Sequence, residues 1–511
     1  MSESWPATMI FETAATNPDG LALDDLTRRR TWAELVDRST RIAHLFRAGF
    51  GLQPDDHAAF LLDNRVEAIE LTLGAMLAGI WLTPINRHLQ AEEIAYIVAD
   101  SGARVVFTDD EHGVVARQSA APEVMRVGDE LDRALAQVSD EPIPLSAPPG
   151  GAMIYTSGTT GRPKGVKRAR QPTLGATLSA IDAACAMLGL DGNGPHLITG
   201  PIYHAAPLLF ALYDHINGAP LVIMPCWDAA QTLELIQDRQ IRHTHLVPTM
   251  FVRLLRLDEA VRKAFDPSSL RLVLHGAAPI APSVKRRMIE WWGEVIVEYW
   301  GATEGGACTL AGSADWLSHP GTVGKATATF EIFAAGDDGT RLPAGHVGSL
   351  FCRHKLLAQP FAYHNAPEKT AESYLEPGAF TLGDIGWVDA DGYVYLTDRK
   401  SNLIISGGVN IYPAEVEQVL QQHPAVADVG VFGIPDDEWG EVIKAAVELA
   451  DGLQPSPQLE ADILTFARQH LASYKVPRSI DFEARLPRHP TGKLYVRQLR
   501  DRYWQGREKK I

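Results

Sequence analysis

Cysteine is scarce in this chain. Its 511 residues hold four, Cys185, Cys226, Cys308 and Cys352, with no metal-type spacing among them. That excludes a disulfide scaffold and a zinc ribbon, and it predicts reduced, structural thiols in a cytoplasmic protein. Basic charge is also short: the net charge of −16 excludes the electrostatic footprint of a nucleic-acid binder and argues against adhesion to an anionic membrane. No apolar run is long enough to span a bilayer. The most apolar helix candidate, Ala68 to Leu82, is too short and contains Glu70, so it reads as a core helix. The N-terminus MSESWPATMIFETAA lacks a basic region followed by an apolar core, which argues against a signal peptide. Internal repeats and low-complexity runs are absent.

What is present is an ordinary globular composition, 46% hydrophobic and 22% charged, in a chain too long for one core. Thr31-Trp-Ala-Glu34 is a capping box ahead of helically spaced apolar residues. Ala58–Leu62 and Arg104–Thr108 read as strands and Ala91–Ala99 as a helix. Further strand-like runs are Leu221–Met224, His245–Val247, Leu272–Leu274 and Val295–Val297. Strands alternating with helices imply parallel sheets covered on both faces, with ligands beyond the strand ends. After Asp398 the texture shifts to a compact α+β pattern. The expected organisation is an α/β fold with a large N-terminal domain, 1–398, of parallel-rich sheets flanked by helices, and a small mobile α+β domain, 399–511.

One stretch organises the chain: Tyr155-Thr-Ser-Gly-Thr-Thr-Gly-Arg-Pro-Lys-Gly-Val166. Gly158, Gly161 and Gly165 let backbone N–H groups approach an anion. Thr156, Ser157, Thr159 and Thr160 add hydroxyl donors, and Arg162 and Lys164 add charge-assisted bonds to phosphate oxygens. It is not a Walker A loop, because Lys164 is followed by Gly165 and Pro163 spoils the run into a helix.

The stretch resembles the phosphate loop of the adenylate-forming superfamily of acyl-CoA synthetases, peptide-synthetase adenylation domains and firefly-type luciferases. The remaining motifs of that superfamily follow in order, and the resemblance implies their roles. In Tyr299-Trp-Gly-Ala-Thr-Glu304, Trp300 takes the adenine-stacking position, Gly301 borders the substrate, Thr303 bonds the α-phosphate and Glu304 holds Mg²⁺. Gly276, Ala277 and Ala278 form the adenine loop, with Ala277 standing where glycine is usual. Asp384 and Arg399 reach the ribose. Ser401 is the hinge about which the small domain turns. Lys493 is the catalytic lysine that bridges substrate carboxylate and α-phosphate. Tyr203 and His204 line the acyl pocket, where enzymes for α-amino acids usually carry Asp. Gly407 and Gly408 line the pantetheine passage, with Arg87, Lys475 and Arg478 as candidates for the CoA phosphates.

The implied activity is an ATP- and Mg²⁺-dependent carboxylic acid ligase of the acyl-CoA synthetase type, with coenzyme A as co-substrate. Capture of the adenylate by an amine, giving an amide, is the alternative. The expected partner is a small-molecule carboxylic acid, with no nucleic acid and no stable membrane insertion; homodimer formation is left open.

Overall fold

The computed structural model describes residues 9–119, 121–156, 162–399, 402–406, 409–436, 438–488 and 494–505. Short-range rules place its early helices. Thr31 Oγ1 accepts from the backbone N–H of Glu34, and Glu34 Oε2 accepts from that of Thr31, closing the capping box on the helix Trp32–His44. The strand His57–Leu61 leads into the helix Val66–Ala78, which is buried on every side. This helix stops short of Leu82. Gly79 adopts φ +80°, a left-handed conformation without penalty only for glycine, and the apolar run resumes as the strand Trp81–Pro84. Its two acids are paired: Glu67 with Arg28 and Arg65, Glu70 with Arg30 and Arg38. Such pairing offsets the cost of burying a carboxylate.

Among the described residues the strands form four sheets. One is wholly parallel and carries Glu123–Arg126, Ala103–Thr108, His57–Leu61, Trp81–Pro84 and Gly151–Ala152 in that order. The largest has a parallel half ordered Leu21–Asp24, Leu221–Ile223, His196–Ile198, His243–Leu246, Leu272–His275 and Ile296–Ala302. Beyond Ile296–Ala302 it continues antiparallel through Gly306–Ala311, Thr322–Ala326, Tyr393–Arg399 and Ala379–Val388. A three-stranded sheet joins Ile154–Thr156, Lys164–Arg168 and Phe361–Tyr363. The smaller C-terminal domain has its own sheet, built on the hairpin Val426–Asp436 and Gly440–Leu449, and its own core under the helices Pro413–Leu420 and Pro457–His470. It touches the large domain where an Arg256 Nη2 donates to the carbonyl of Ala427 at 2.7 Å.

The topology explains where the site lies. His196–Ile198, His243–Leu246, Leu272–His275 and Ile296–Ala302 end side by side. The residues that follow them, Tyr203, Met250, Ala277 and Thr303, all border one cleft. Among the described residues no helix is long and apolar enough to cross a membrane.

Candidate active site

The apolar run before the phosphate loop feeds two sheets. Gly151–Ala152 pairs with Trp81–Leu82, while Ile154–Thr156 turns into a hairpin with Lys164–Arg168, Thr156 opposite Lys164. Ser157, Gly158, Thr159, Thr160 and Gly161 lie outside the described residues. Their flanks are anchored: the Tyr155 hydroxyl donates to Asp100 Oδ2 at 2.7 Å, the Tyr96 hydroxyl donates to the carbonyl of Pro163 at 3.1 Å, and the Arg162 guanidinium lies 5.0 Å from the centre of the Tyr96 ring. Lys164 opens a strand rather than a helix, as the exclusion of a Walker A loop requires.

Facing this hairpin is the turn between Ile296–Ala302 and Gly306–Ala311, which carries Thr303 and Glu304. The turn is tight: a Cβ on Gly301 would stand 1.8 Å from the carbonyl oxygen of Gly306, so only glycine fits there. Glu304 is buried at the cleft wall, and its Oε1 accepts from the Tyr363 hydroxyl at 2.8 Å. Tyr363 pairs with Val166 in the hairpin sheet, so one hydrogen bond ties the Glu304 turn to the phosphate-loop strands. Burial, then the charge of Glu304, raises the phenol of Tyr363 above its usual range. Sequence reasoning missed Tyr363, which no local pattern marks. It also missed Arg168, whose guanidinium lies against Gly306 and borders the cleft.

At the end of the strand Leu272–His275, Gly276 packs so closely that a Cβ would meet the Tyr299 carbonyl at 2.7 Å. Ala277 holds φ +67°, the left-handed region that favours the glycine usual at this position. The structure departs from expectation at Trp300. Its ring is buried among Val166, Cys308, Phe361 and Phe380, and its indole N–H donates to Asp384 Oδ2 at 2.8 Å. It therefore does not present an open stacking face. The reason is strand alternation: Tyr299 faces the cleft and its neighbour faces the core. Asp384 is buried beside Gly383, which does line the cleft, and pairs in register with Arg399 on the neighbouring strand.

The wall of the cleft around Tyr203 is aromatic, with His204, Phe210 and Tyr299 beside it. Tyr203 is buried, its hydroxyl has no hydrogen-bond partner among the described residues, and burial pushes its phenol up. The ring of His204 stands edge-on to it at 4.5 Å. His245 Nε2 lies 3.1 Å from the Tyr299 hydroxyl, and burial lowers its imidazole to about 3, so it is neutral at physiological pH.

From the small domain, Pro435, Trp439, Tyr495 and Arg497 border the same cleft. Lys493, Ser401, Gly407, Gly408 and the side chain of Arg399 lie outside the described residues. Of the CoA-phosphate candidates, two are already compensated: Arg87 is paired with Asp63, and Lys475 Nζ holds both oxygens of Glu415 at 2.6 and 2.7 Å. Arg478 is exposed. The cleft measures about 2650 Å³. A single small-ligand site holds roughly 300–1,000 Å³, so there is room for a nucleotide and a second substrate together.

A model of the AMP-binding enzyme family matches residues 10–361, and one of the AMP-binding enzyme C-terminal domain matches residues 415–493. The chain belongs to the AMP-binding enzyme family. It is 35% identical to a fatty acid–[acyl-carrier-protein] ligase of Streptomyces coeruleorubidus, over 95% of this chain and 93% of the relative. It is 33% identical to a feruloyl-CoA synthase of Amycolatopsis, over 98% of each. The ATP-bound structure of MatB from Rhodopseudomonas palustris superposes with a TM-score of 0.84 at 27% identity, covering 97% of both chains.

Proposed function

We propose that this chain is an ATP-dependent carboxylic acid ligase that makes an acyl-adenylate and then an acyl-CoA thioester, releasing pyrophosphate and AMP. The observation that carries the reading is the meeting of the Thr156–Lys164 hairpin, the Thr303–Glu304 turn and the small-domain segment 494–497 on one cleft. A polyphosphate held by the hairpin would lie beside Glu304. One buried carboxylate at a phosphate site suits Mg²⁺, which takes few carboxylates and shares its shell with phosphate oxygens and water. Glu304 would hold that ion, whose charge would help offset that of the phosphates.

In the first step the substrate carboxylate attacks the α-phosphorus and pyrophosphate leaves. Lys493, at the lysine position of the superfamily, meets the charge that builds there, and losing one such donor typically costs about 10²–10³-fold in rate. In the second step the CoA thiol displaces AMP after the small domain turns about Ser401. We place the domain boundary at 398/399, next to this pivot. Closure of the cleft excludes water from the mixed anhydride. His204, where an amino-acid pocket would offer a carboxylate, favours an acid without an α-ammonium group, and the neutral His245 beside Tyr299 adds no negative charge.

The test is pyrophosphate release from a panel of acids with Mg·ATP, followed by thioester formation on adding CoA. Lys493→Ala should cripple the first and still convert supplied acyl-adenylate and CoA to thioester. Ser401→Pro, which fixes φ near −65°, should do the reverse. Parallel loss of both steps in both folded variants would overturn the two-conformation mechanism, and an amine that replaces CoA would move the chain to amide synthesis.

A further inference from the structure

The cleft continues from the Thr303–Glu304 turn as an apolar slot between the two parallel sheets. The helix Ala205–Ile216 begins directly after His204 and borders the slot down to Tyr213. The helix Leu174–Leu188 borders it through Thr177, Ala180, Ala184 and Leu188, which recur at helical spacing along one side. Thr72 and Met76, on the helix Val66–Ala78, also border it. Leu178 and Cys185 of Leu174–Leu188 are buried in the core, whereas Ala180 and Ala184 border the slot together with the larger Ile181, Met187 and Leu188.

From Thr177 to Leu188 the helix rises about 16 Å. An extended chain covers roughly 3.3–3.6 Å for every three bonds, so that length holds on the order of fourteen bonds. Among the described residues of these three helices that border the slot, none is Asp, Glu, Lys or Arg. Where the cleft reaches Trp81 it meets Arg170. That guanidinium is taken: it pairs with Asp55, donates to the Pro149 carbonyl at 2.6 Å and lies 4.3 Å from the centre of the Trp81 ring. A second carboxylate on the substrate would have to compete there with Asp55 for Arg170, or meet Lys167, whose Nζ lies 5.2 Å from the centre of the Trp81 ring.

We infer that the slot takes the hydrocarbon tail of a medium- to long-chain monocarboxylic acid, on the order of ten to fourteen carbons by the same length argument, with its carboxylate toward Thr303 and Glu304. This rests on the ligase reading above and specifies its substrate class. Each buried methylene then adds about fourfold to binding. The small side chains at 180 and 184 set the usable length.

The experiment is pyrophosphate release with Mg·ATP and butanoate, octanoate, dodecanoate, dodecanedioate or ferulate, in wild type and in Ala184→Trp. In wild type kcat/KM should climb from butanoate to dodecanoate, with dodecanedioate and ferulate well below dodecanoate. In Ala184→Trp the dodecanoate-to-butanoate ratio should fall about 100-fold, the loss of three to four buried methylenes. Ala180→Leu carries the same expectation at smaller amplitude, should the tryptophan variant not fold. A flat series, a preference for ferulate or the diacid, or an equal loss on all acids in a folded variant overturns the slot assignment and leaves the ligase reading standing. Release from none of a wider panel of acids overturns the ligase reading itself.

Discussion

The indole N–H of Trp300 donates to Asp384 Oδ2 at 2.8 Å, beneath the cleft and between two strands that are not neighbours in the sheet. The bond fixes the carboxylate that we propose for the ribose hydroxyls. A hydrogen bond to a charged group contributes about 1.5–3 kcal/mol. Trp300→Phe should lower unfolding free energy by about that amount and raise the KM for ATP more than it lowers kcat. Unchanged stability and KM would reduce the contact to simple packing.

A second prediction concerns Glu304 and its donor Tyr363. Glu304→Gln should slow pyrophosphate release and shift its Mg²⁺ dependence to higher concentration. Tyr363→Phe leaves the carboxylate in place without one hydrogen bond, so its shift should be smaller, near fivefold for about 1 kcal/mol. A Mg²⁺ titration of both variants reads this out. A larger effect from Tyr363→Phe than from Glu304→Gln would contradict the assignment.

Ala277 at φ +67° is strained by about 1–2 kcal/mol relative to glycine. Glycine also loosens the unfolded chain, which returns roughly 0.4–1 kcal/mol. Ala277→Gly should therefore stabilise by up to about 1.6 kcal/mol, seen as a higher denaturant midpoint at an unchanged slope. Destabilisation would mean that the alanine methyl makes a contact worth more than its strain.

Acid should weaken the fold well above the carboxylate range. Burial lowers His245 to about 3, and burial followed by the charge of Lys167 lowers His57 to about 3. The unfolded chain takes up these protons near pH 6.5. Between that pH and about 3 the unfolded state binds more protons, so stability rises with pH and is lost as pH falls, by about 1.4 kcal/mol per pH unit for each such group. His245→Gln should flatten the slope by one proton between pH 6 and 4. Identical slopes would show that His245 is not held neutral.

Much of this was legible in the chain because the signals are local. Thr31 and Glu34 are three residues apart and announce their helix, and the apolar run before the glycine- and hydroxyl-rich stretch announces its strand, though not the hairpin that Lys164–Arg168 completes. The helix at Val66 ends sooner than its apolar run suggests, because that run continues through Gly79 into a strand that is equally buried; hydrophobicity alone does not mark the change. Trp300 and Asp384 are 84 residues apart, so their bond leaves no trace in spacing. The slot beside Ala180 and Ala184 was also hidden. Alanine on a helix reads the same whether it packs a core or walls a cavity.

The central claim is that ATP is cleaved between its α- and β-phosphates to activate a carboxylic acid. The measurement that meets it most directly is product stoichiometry: the protein with Mg·ATP, dodecanoate and CoA, with AMP, ADP, pyrophosphate, phosphate and thioester quantified together. The account predicts AMP, pyrophosphate and acyl-CoA in equal amounts, with acyl-adenylate accumulating when CoA is omitted. ADP and phosphate accompanying the thioester would contradict it.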